Sequence, residues 1–173
     1  WFGAFGVKTP ASSKPRALPV AKASESQARR AKRAARSTEL ELGDVIGHGG
    51  FATVYLARQV AVDRPVAVKI DSRPLSDERN RRRFLREATA ASRISGHPHV
   101  VSLIDAGVTP DGRPYLVMEW CPHGSLKTVL RRTGPMAPAE VRDLGLALSS
   151  ALAAAHEAGI LHRDVKPGNV LID

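Results

Sequence analysis

The segment from Leu40 to Ile70 constrains the fold of this chain most strongly, because short apolar runs alternate there with turn residues. Leu40 to Ile46 is the first run, Thr53 to Ala57 the second and Val66 to Ile70 the third. A glycine cluster separates the first two runs, and Asp63-Arg64-Pro65 precedes the third. Runs of this length bounded by turn residues predict three successive β-strands joined by tight turns.

A helix is predicted next, from about residue 77 to residue 95. Ser76 or Asp77 supplies a suitable N-terminal cap, and Gly96 and Pro98 end the helical pattern. Apolar residues recur at helical spacing and are expected to face inward. They are Phe84, Ala88, Ala91 and Ile94.

The remaining chain predicts two more strands, two helices and a final strand. The strands are expected at residues 100–106 and 114–118, and the helices at 125–132 and 138–158. The longer helix carries one apolar stripe, made of Val141, Leu144, Leu148, Leu152 and Ala155. Val170 to Asp173 has the composition of a strand. Strands with one inserted helix, followed by helices, predict an α+β fold.

The positive charge of the chain is concentrated at its N-terminus. Residues 1–38 contain nine Lys or Arg and one acid, whereas residues 39–173 contain 17 bases and 16 acids. We expect residues 1–38 to be a basic disordered tail that is able to contact an acidic partner or a membrane surface. The nearly neutral remainder is not expected to bind nucleic acid.

Cysteine content and hydropathy exclude two further classes. A single cysteine, Cys121, rules out an internal disulfide framework or a multi-cysteine metal site. The most apolar segment, residues 144–155, is too short to span a bilayer. We therefore expect the folded part to be cytoplasmic. A membrane anchor in a C-terminal segment of a longer parent protein stays open.

The glycine cluster between the first two strands suits phosphate binding. Gly47, Gly49 and Gly50 would let backbone amides approach a phosphate closely and would permit turn dihedral angles that a Cβ disfavours. An ordinary hairpin turn is the alternative. The cluster leads into a strand and not into a helix, which argues against a dinucleotide-binding fold or a P-loop.

A lysine and a glutamate are candidates for an internal ion pair. Strand alternation places Ala67 and Lys69 on one face of the third strand, opposite Val66, Val68 and Ile70. Glu87 falls on the inward side of the predicted helix, where a carboxylate needs a partner. Lys69 is one candidate for that partner. A surface pair of Glu87 with Arg83 or Arg86 is the alternative.

The segment from His162 to Asn169 carries the densest set of chemical groups. Asp164, Lys166 and Asn169 combine a proton acceptor, a cation for phosphate and a metal ligand in one loop after a helix. His162 is interpreted as a structural residue.

Taken together, these motifs resemble the eukaryotic-type serine/threonine protein kinase family. The resemblance covers residues 39–173 and rests on Gly47-x-Gly49-x-x-Ala52-x-Val54, Val66-Ala67-Val68-Lys69, Glu87 and His162-Arg163-Asp164-x-x-x-x-Asn169. Lys166-Pro167 is more similar to serine/threonine kinases than to tyrosine kinases. The third glycine of the family's loop is Ala52 here.

This resemblance implies an α+β protein-kinase-like fold. It comprises an antiparallel sheet lobe with one helix, over residues 39–120, and the first helices and catalytic loop of a helical lobe, over residues 121–173. The implied reaction is transfer of the γ-phosphate of ATP to Ser or Thr hydroxyls of a protein substrate, with Mg²⁺.

The resemblance also implies a role for individual residues. Asp164 would accept the substrate proton, Lys166 would contact the γ-phosphate, Lys69 would hold the α- and β-phosphates, and Glu87 would orient Lys69. Asn169 would bind Mg²⁺. The implied nucleotide-binding residues are Ile46, Gly47, Gly49, Gly50, Val54, Ala67, Lys69, Met118, Glu119, Cys121 and Asn169. In this set Met118 would be the gatekeeper beside the adenine, and residues 119–121 would form the hinge.

Two alternatives stay open, namely a pseudokinase that serves as a nucleotide-binding scaffold and a small-molecule phosphotransferase of kinase-like fold. The sequence lacks an Asp-Phe-Gly segment, and Asp173 follows Asn169 too closely to supply its metal-binding carboxylate. We therefore expect this chain to be an N-terminal fragment that is inactive on its own.

Overall fold

The computed structural model of the chain describes residues 7–9 and 40–173. These residues divide into two units. The sheet unit contains residues 40–88 and 103–120, and the helical unit contains residues 7–9, 89–102 and 121–173. In chain order the elements are β1 (Val7–Thr9), β2 (Leu40–His48), β3 (Ala52–Gln59), β4 (Arg64–Asp71), α1 (Glu78–Ile94), β5 (Leu103–Val108), β6 (Pro114–Glu119), α2 (Leu126–Thr133), α3 (Pro138–Glu157) and β7 (Val170–Ile172).

The sheet unit is built on five antiparallel strands in the order β2-β3-β4-β6-β5. Val66, Val68 and Ile70 on β4 are 0–3% exposed and belong to one apolar core. Ala67 and Lys69 alternate with them, so the predicted division of β4 into two faces is confirmed. The α+β fold with an antiparallel sheet is likewise confirmed.

The start of β5 differs from the prediction, which began this strand at Val100. The strand starts at Leu103, and Val100 lies in a turn where its amide donates to the His97 carbonyl (3.1 Å). The Val100 side chain is 1% exposed because it packs with Ala90 and Ile94 of α1. Its apolar character therefore reflects packing against α1, and Val100 is not part of β5.

Helix α1 begins as predicted, with Asp77 as its cap. The Asp77 carboxylate accepts a hydrogen bond from the Arg79 amide (2.9 Å), which satisfies one of the unpaired donors of the first turn. Ala91 and Ile94 are buried, while Phe84 and Ala88 are half-buried, in agreement with the predicted inward face. The boundary between the two units falls within α1, after Ala88.

In the helical unit, the buried stripe of α3 differs from the predicted one. Ala147, Ala151 and Ala155 are 2–6% exposed, whereas Val141 is 53% exposed. Leu144, Leu148 and Leu152 are only half-buried. The alanines take the central positions because their small side chains let α3 approach its neighbours closely, and Ala151 and Ala155 pack with Ile94.

Strand β1 corrects part of the prediction of a disordered tail. Val7–Thr9 pairs in parallel with Val170–Ile172, the amide of Lys8 donates to the His99 carbonyl (3.1 Å), and Thr9 is 7% exposed. The tail prediction is therefore wrong for these three residues, since compositional arguments do not detect so short a strand. The other residues of 1–38 lie outside the described part of the chain.

Within residues 7–9 and 40–173, no helix is long and apolar enough to cross a membrane.

Candidate active site

Lys69 of β4 and Glu87 of α1 form an ion pair inside the sheet unit. The side chain of Lys69 is 19% exposed and that of Glu87 is 9% exposed. The contact predicted between them is thus present, and the alternative of a surface pair for Glu87 is wrong. Arg83, one candidate for that surface pair, bonds to Asp71 instead.

The register of the sheet gathers several predicted nucleotide-binding residues on the face that carries Lys69. Val54 of β3 lies directly opposite Lys69 and is itself opposite Gly47 of β2. Ala67, two residues before Lys69, lies opposite Met118 of β6. Because directly opposed residues of an antiparallel sheet share a face, these five side-chain positions line one surface.

The backbone at the junction of β2 and β3 does not itself require glycine at the three glycine positions. None of Gly47, Gly49 and Gly50 has a positive φ. A Cβ at Gly47 or Gly49 would make only ordinary contacts, and one at Gly50 would meet nothing within 4 Å. The expectation that they relieve strained turn dihedrals is wrong in this structure, and their role in letting a phosphate approach the backbone stays a prediction.

The exposed apolar residues of this loop flank the glycines. Ile46 is 38% exposed and Phe51 is 57% exposed. Arg73 lies over the Phe51 ring, with 4.0 Å between its Cζ atom and the ring centroid, and the Ser72 amide donates to the Phe51 carbonyl (2.9 Å). The tip of the loop is therefore attached to the residues that follow β4.

In the helical unit, Asp164 is the centre of a hydrogen-bonded loop. Lys166 Nζ donates to Asp164 Oδ2 (2.7 Å), and Asn169 Nδ2 donates to the same oxygen (3.0 Å) and to the Asp164 carbonyl (2.8 Å). The Asp164 side chain remains 26% exposed. The three residues predicted to carry the chemistry of this loop are therefore in direct contact.

The backbone before Asp164 holds this arrangement. His162 is 5% exposed, and its Nδ1 accepts a hydrogen bond from the Asp164 amide (3.2 Å), which agrees with its interpretation as a structural residue. Arg163 has φ of 61°, a left-handed conformation that is uncommon for a residue other than glycine. Pro167–Asn169 forms a single 3-10 turn that brings Asn169 back toward Asp164.

The hydrogen bond from Lys166, supported by the one from Asn169, lowers the pKa of the Asp164 carboxyl below its usual range. Asp164 is therefore a carboxylate at neutral pH. A carboxylate at this position is able to accept a proton from a hydroxyl group.

Asn169 also has the orientation that suits a hard cation. Its amide nitrogen is committed to Asp164, so its amide oxygen is the atom available as a ligand. In the described part of the chain, no three His, Cys, Asp or Glu side chains form a group that could hold a metal. A cation here would therefore need ligands beyond this set.

The predicted hinge residues divide between the two units. Met118 and Glu119 end β6 in the sheet unit, whereas Cys121 belongs to the helical unit, where it is 6% exposed. Their assignment to adenine recognition stays a prediction.

One acidic residue of the sheet unit was missed in the sequence. Asp71, at the end of β4, binds both Arg83 of α1 and Arg73. Its position two residues after Lys69, together with that of Arg83 four residues before Glu87, is the pattern that could have revealed a second ion pair between the same elements.

Comparison with known proteins adds independent findings. The family described as "Protein kinase domain" matches residues 40–173. Serine/threonine-protein kinase PknK of Mycobacterium tuberculosis is 50% identical over 127 residues, which is 73% of this chain and 11% of the relative. Serine/threonine-protein kinase PrkC of Bacillus subtilis is 43% identical over 130 residues, 75% of this chain and 20% of the relative. Serine/threonine-protein kinase PknB of Mycobacterium leprae is 38% identical over 140 residues, 79% of this chain and 22% of the relative. The chain thus spans a quarter or less of the length of these curated relatives.

Proposed function

Since the chain belongs to the protein kinase domain family, we propose that the protein carrying it transfers the γ-phosphoryl group of ATP to Ser or Thr hydroxyls of protein substrates. The single observation that carries this proposal is the convergence of Lys166 and Asn169 on one oxygen of Asp164. The names of the relatives, all serine/threonine-protein kinases, support the choice of Ser and Thr as acceptors.

Asp164 is the proposed proton acceptor. Lys166 and Asn169 both bond to Oδ2, so Oδ1 is the oxygen that would accept the proton of the substrate hydroxyl. As the hydroxyl oxygen forms its bond to the γ-phosphorus, the bond from that phosphorus to the β,γ-bridging oxygen breaks. ADP leaves with the bonding electrons, and the hydroxyl proton passes to Asp164. Lys166, with its ammonium 2.7 Å from Oδ2, would offset the negative charge of the transferred group.

In the sheet unit, Lys69 is the proposed partner of the α- and β-phosphates. Its ion pair with Glu87 restricts the ammonium group to one position and so reduces the entropy lost on binding. Gly47, Gly49 and Gly50 would let backbone amides reach the phosphates, and a substituted Cβ at Gly50 would occupy the open space that a phosphate needs. Val54, Ala67 and Met118 would contact the adenine.

Mg²⁺ would be held by the amide oxygen of Asn169, together with phosphate oxygens and water. A magnesium ion usually keeps several waters and binds proteins through one or two carboxylates, so Asn169 would supply one ligand of an incomplete site. When bound, it would supply positive charge that neutralises the phosphates.

The partner and location assignments also belong to this proposal. The excess of basic residues in 1–38 would favour an acidic partner or an anionic membrane surface, and the kinase part would act in the cytoplasm.

Separating nucleotide binding from transfer tests the proposal. Binding of a fluorescent ATP analogue to the 173-residue chain should weaken about tenfold or more in Lys69→Met, because a charge-assisted contact is lost. In the intact gene product, Asp164→Asn should lower transfer of radiolabelled phosphate to protein by about 10²- to 10⁴-fold while sparing binding of the analogue.

Asp143→Asn is the matched control, since Asp143 is an exposed carboxylate of α3 paired with Arg142. Transfer by this variant should equal that of the unaltered protein. Undiminished transfer by Asp164→Asn would show that another group accepts the proton, and unchanged binding by Lys69→Met would contradict the assignment of Lys69 to the phosphates.

A further inference from the structure

A second ion pair links β4 to α1 beside the pair of Lys69 and Glu87. Asp71 lies two residues after Lys69 on the same strand, and its carboxylate bonds to Arg83, which lies one turn before Glu87 on the helix. The Asp71 side chain is 14% exposed and that of Arg83 is 27% exposed, so water only partly screens this contact.

The two pairs match in spacing. Residues two apart on a strand are separated by ~6.6 Å along its axis, and residues four apart on a helix by ~6 Å. Strand and helix can therefore make both contacts at once. Each acid faces a base, because Lys69 meets Glu87 and Asp71 meets Arg83. Both contacts form together only in this alignment of α1 on β4.

A shift of α1 by one turn would be opposed by charge repulsion. In one direction Arg83 would come opposite Lys69, and in the other Glu87 would come opposite Asp71. Either shift brings like charges together, which disfavours the wrong alignment as well as losing the right one. A single ion pair would not discriminate in this way, because Lys69 could accept any acid that reached it.

The same carboxylate also holds Arg73. The Arg73 amide donates to Asp71 Oδ1 (2.9 Å) and its Nε lies 3.4 Å from that oxygen. Arg73 in turn lies over the ring of Phe51, at the tip of the glycine loop. Asp71 thus binds α1 through Arg83 and also binds Arg73, the residue that contacts the glycine loop.

Each arginine bound to Asp71 has one donor atom that the described residues do not satisfy. Arg73 Nη2 and Arg83 Nε are buried and have no hydrogen-bond partner among the described residues.

We propose that Asp71 is a positioning residue that fixes the alignment of α1 on β4, so that Glu87 meets Lys69, and that restrains the glycine loop through Arg73. This inference rests on the proposed function, because it concerns the same nucleotide-binding residues. In this role Asp71 acts through Arg83 and Arg73 and would not itself bind the nucleotide.

The test compares Asp71→Asn, Arg83→Gln and the double variant of the 173-residue chain. Each single variant should bind a fluorescent ATP analogue about tenfold more weakly, within the usual range of coupling between sites. The double variant should bind the analogue no more weakly than the single variant with the lower affinity, because both changes break the same contact between Asp71 and Arg83. The matched control is Glu78→Gln, which breaks the exposed bridges from Arg81 and Arg82 on the same helix and should leave binding unchanged.

A second measurement does not depend on nucleotide. The chain has seven lysines, so the NMR signal of the Lys69 ammonium group is assignable with a Lys69→Arg variant. In Asp71→Asn this signal should move toward those of exposed lysines, whereas a merely structural role of Asp71 would leave it in place.

Three outcomes would overturn specific parts of the argument. If Asp71→Asn leaves both binding and the Lys69 signal unchanged, the positioning role is wrong. If the losses in the two single variants multiply in the double variant, Asp71 and Arg83 do not act through each other. If Lys69→Met binds the analogue as tightly as the unaltered chain, the proposed function fails, independently of the result for Asp71.

Discussion

Replacing Lys69 by methionine is expected to destabilise the sheet unit more than replacing its partner. Lys69→Met keeps the volume of the side chain but leaves the Glu87 side chain, which is 9% exposed, as a buried carboxylate without its counter-ion. Breaking a buried ion pair from one side costs about 3–5 kcal/mol. Since Lys69 itself keeps 19% exposure, we expect a value near the lower end, about 3 kcal/mol.

The reverse change is expected to cost less. Glu87→Gln leaves an amide that still accepts a hydrogen bond, and the unpaired Lys69 ammonium is nearer to solvent, so we expect a loss of about 1–2 kcal/mol. The double variant Lys69→Met/Glu87→Leu replaces the pair by apolar side chains. Its stability should lie within about 1 kcal/mol of that of the unaltered chain, because no buried charge remains.

Urea unfolding at neutral pH measures these free energies. Fluorescence of Trp120, which directly follows β6 in the sheet unit, reports on this unit in a Trp1→Phe background. Far-UV circular dichroism provides a second probe. Arg82→Met is the control, since its bridge to Glu78 is exposed and should contribute less than about 0.5 kcal/mol. If Lys69→Met costs less than about 1 kcal/mol and the single effects add in the double variant, the burial argument is refuted.

Two further predictions concern the helical unit. Lys166→Gln removes the strongest of the hydrogen bonds that lower the pKa of Asp164, so carbon NMR should show this pKa rising toward its usual range. The control variant Lys127→Gln should leave the pKa of Asp164 unchanged. Because the pKa of Asp164 is lowered in the folded chain, this carboxylate contributes stability above its unfolded pKa, and the contribution is lost as the pH falls through the folded pKa. Lys166→Gln should therefore also reduce the acid dependence of stability. An unchanged pKa of Asp164 in Lys166→Gln would contradict the assigned cause. Deleting residues 1–9 should lower the free energy of unfolding by about 1–2 kcal/mol relative to deleting residues 1–6, because the backbone hydrogen bonds from Lys8 to His99 and from Asp173 to Thr9 are lost. Equal stability of the two deletion variants would show that β1 contributes nothing.

The parts of the fold that depend on local sequence were predictable. The two faces of β4 follow from alternation within five residues, and the start of α1 follows from Asp77 and the residues after it. Strand β1 was missed because its pairing with Val170–Ile172 joins the two ends of the chain. The buried face of α3 was misplaced for a related reason. Hydrophobicity favoured Val141, but the residues of α3 that pack with Ile94 are Ala151 and Ala155.

The same distinction applies to the candidate site. Asp164, Lys166 and Asn169 lie within six residues, so their spacing alone indicated that they would be in contact. The pair of Lys69 and Glu87 needed the phase of a helix as well as that of a strand, and both could be inferred. For Asp71, the spacing relative to Lys69 was the available signal for a second ion pair, but its simultaneous contact with Arg83 and Arg73 is seen only in the structure.

Some features beside the candidate site are unfavourable for stability. Glycine in place of alanine costs roughly 0.5–1 kcal/mol in a strand or helix, yet Gly47 of β2 has room for a Cβ and no positive φ to require glycine. Arg73 and Arg83 each bury an unpaired donor. Arg163, the residue before Asp164, adopts a left-handed conformation. They are explained together if the surface of the sheet unit is shaped to accept phosphates and the loop of the helical unit is shaped to present Asp164, because local rules are expected to fail where a sequence serves a ligand instead of its own core.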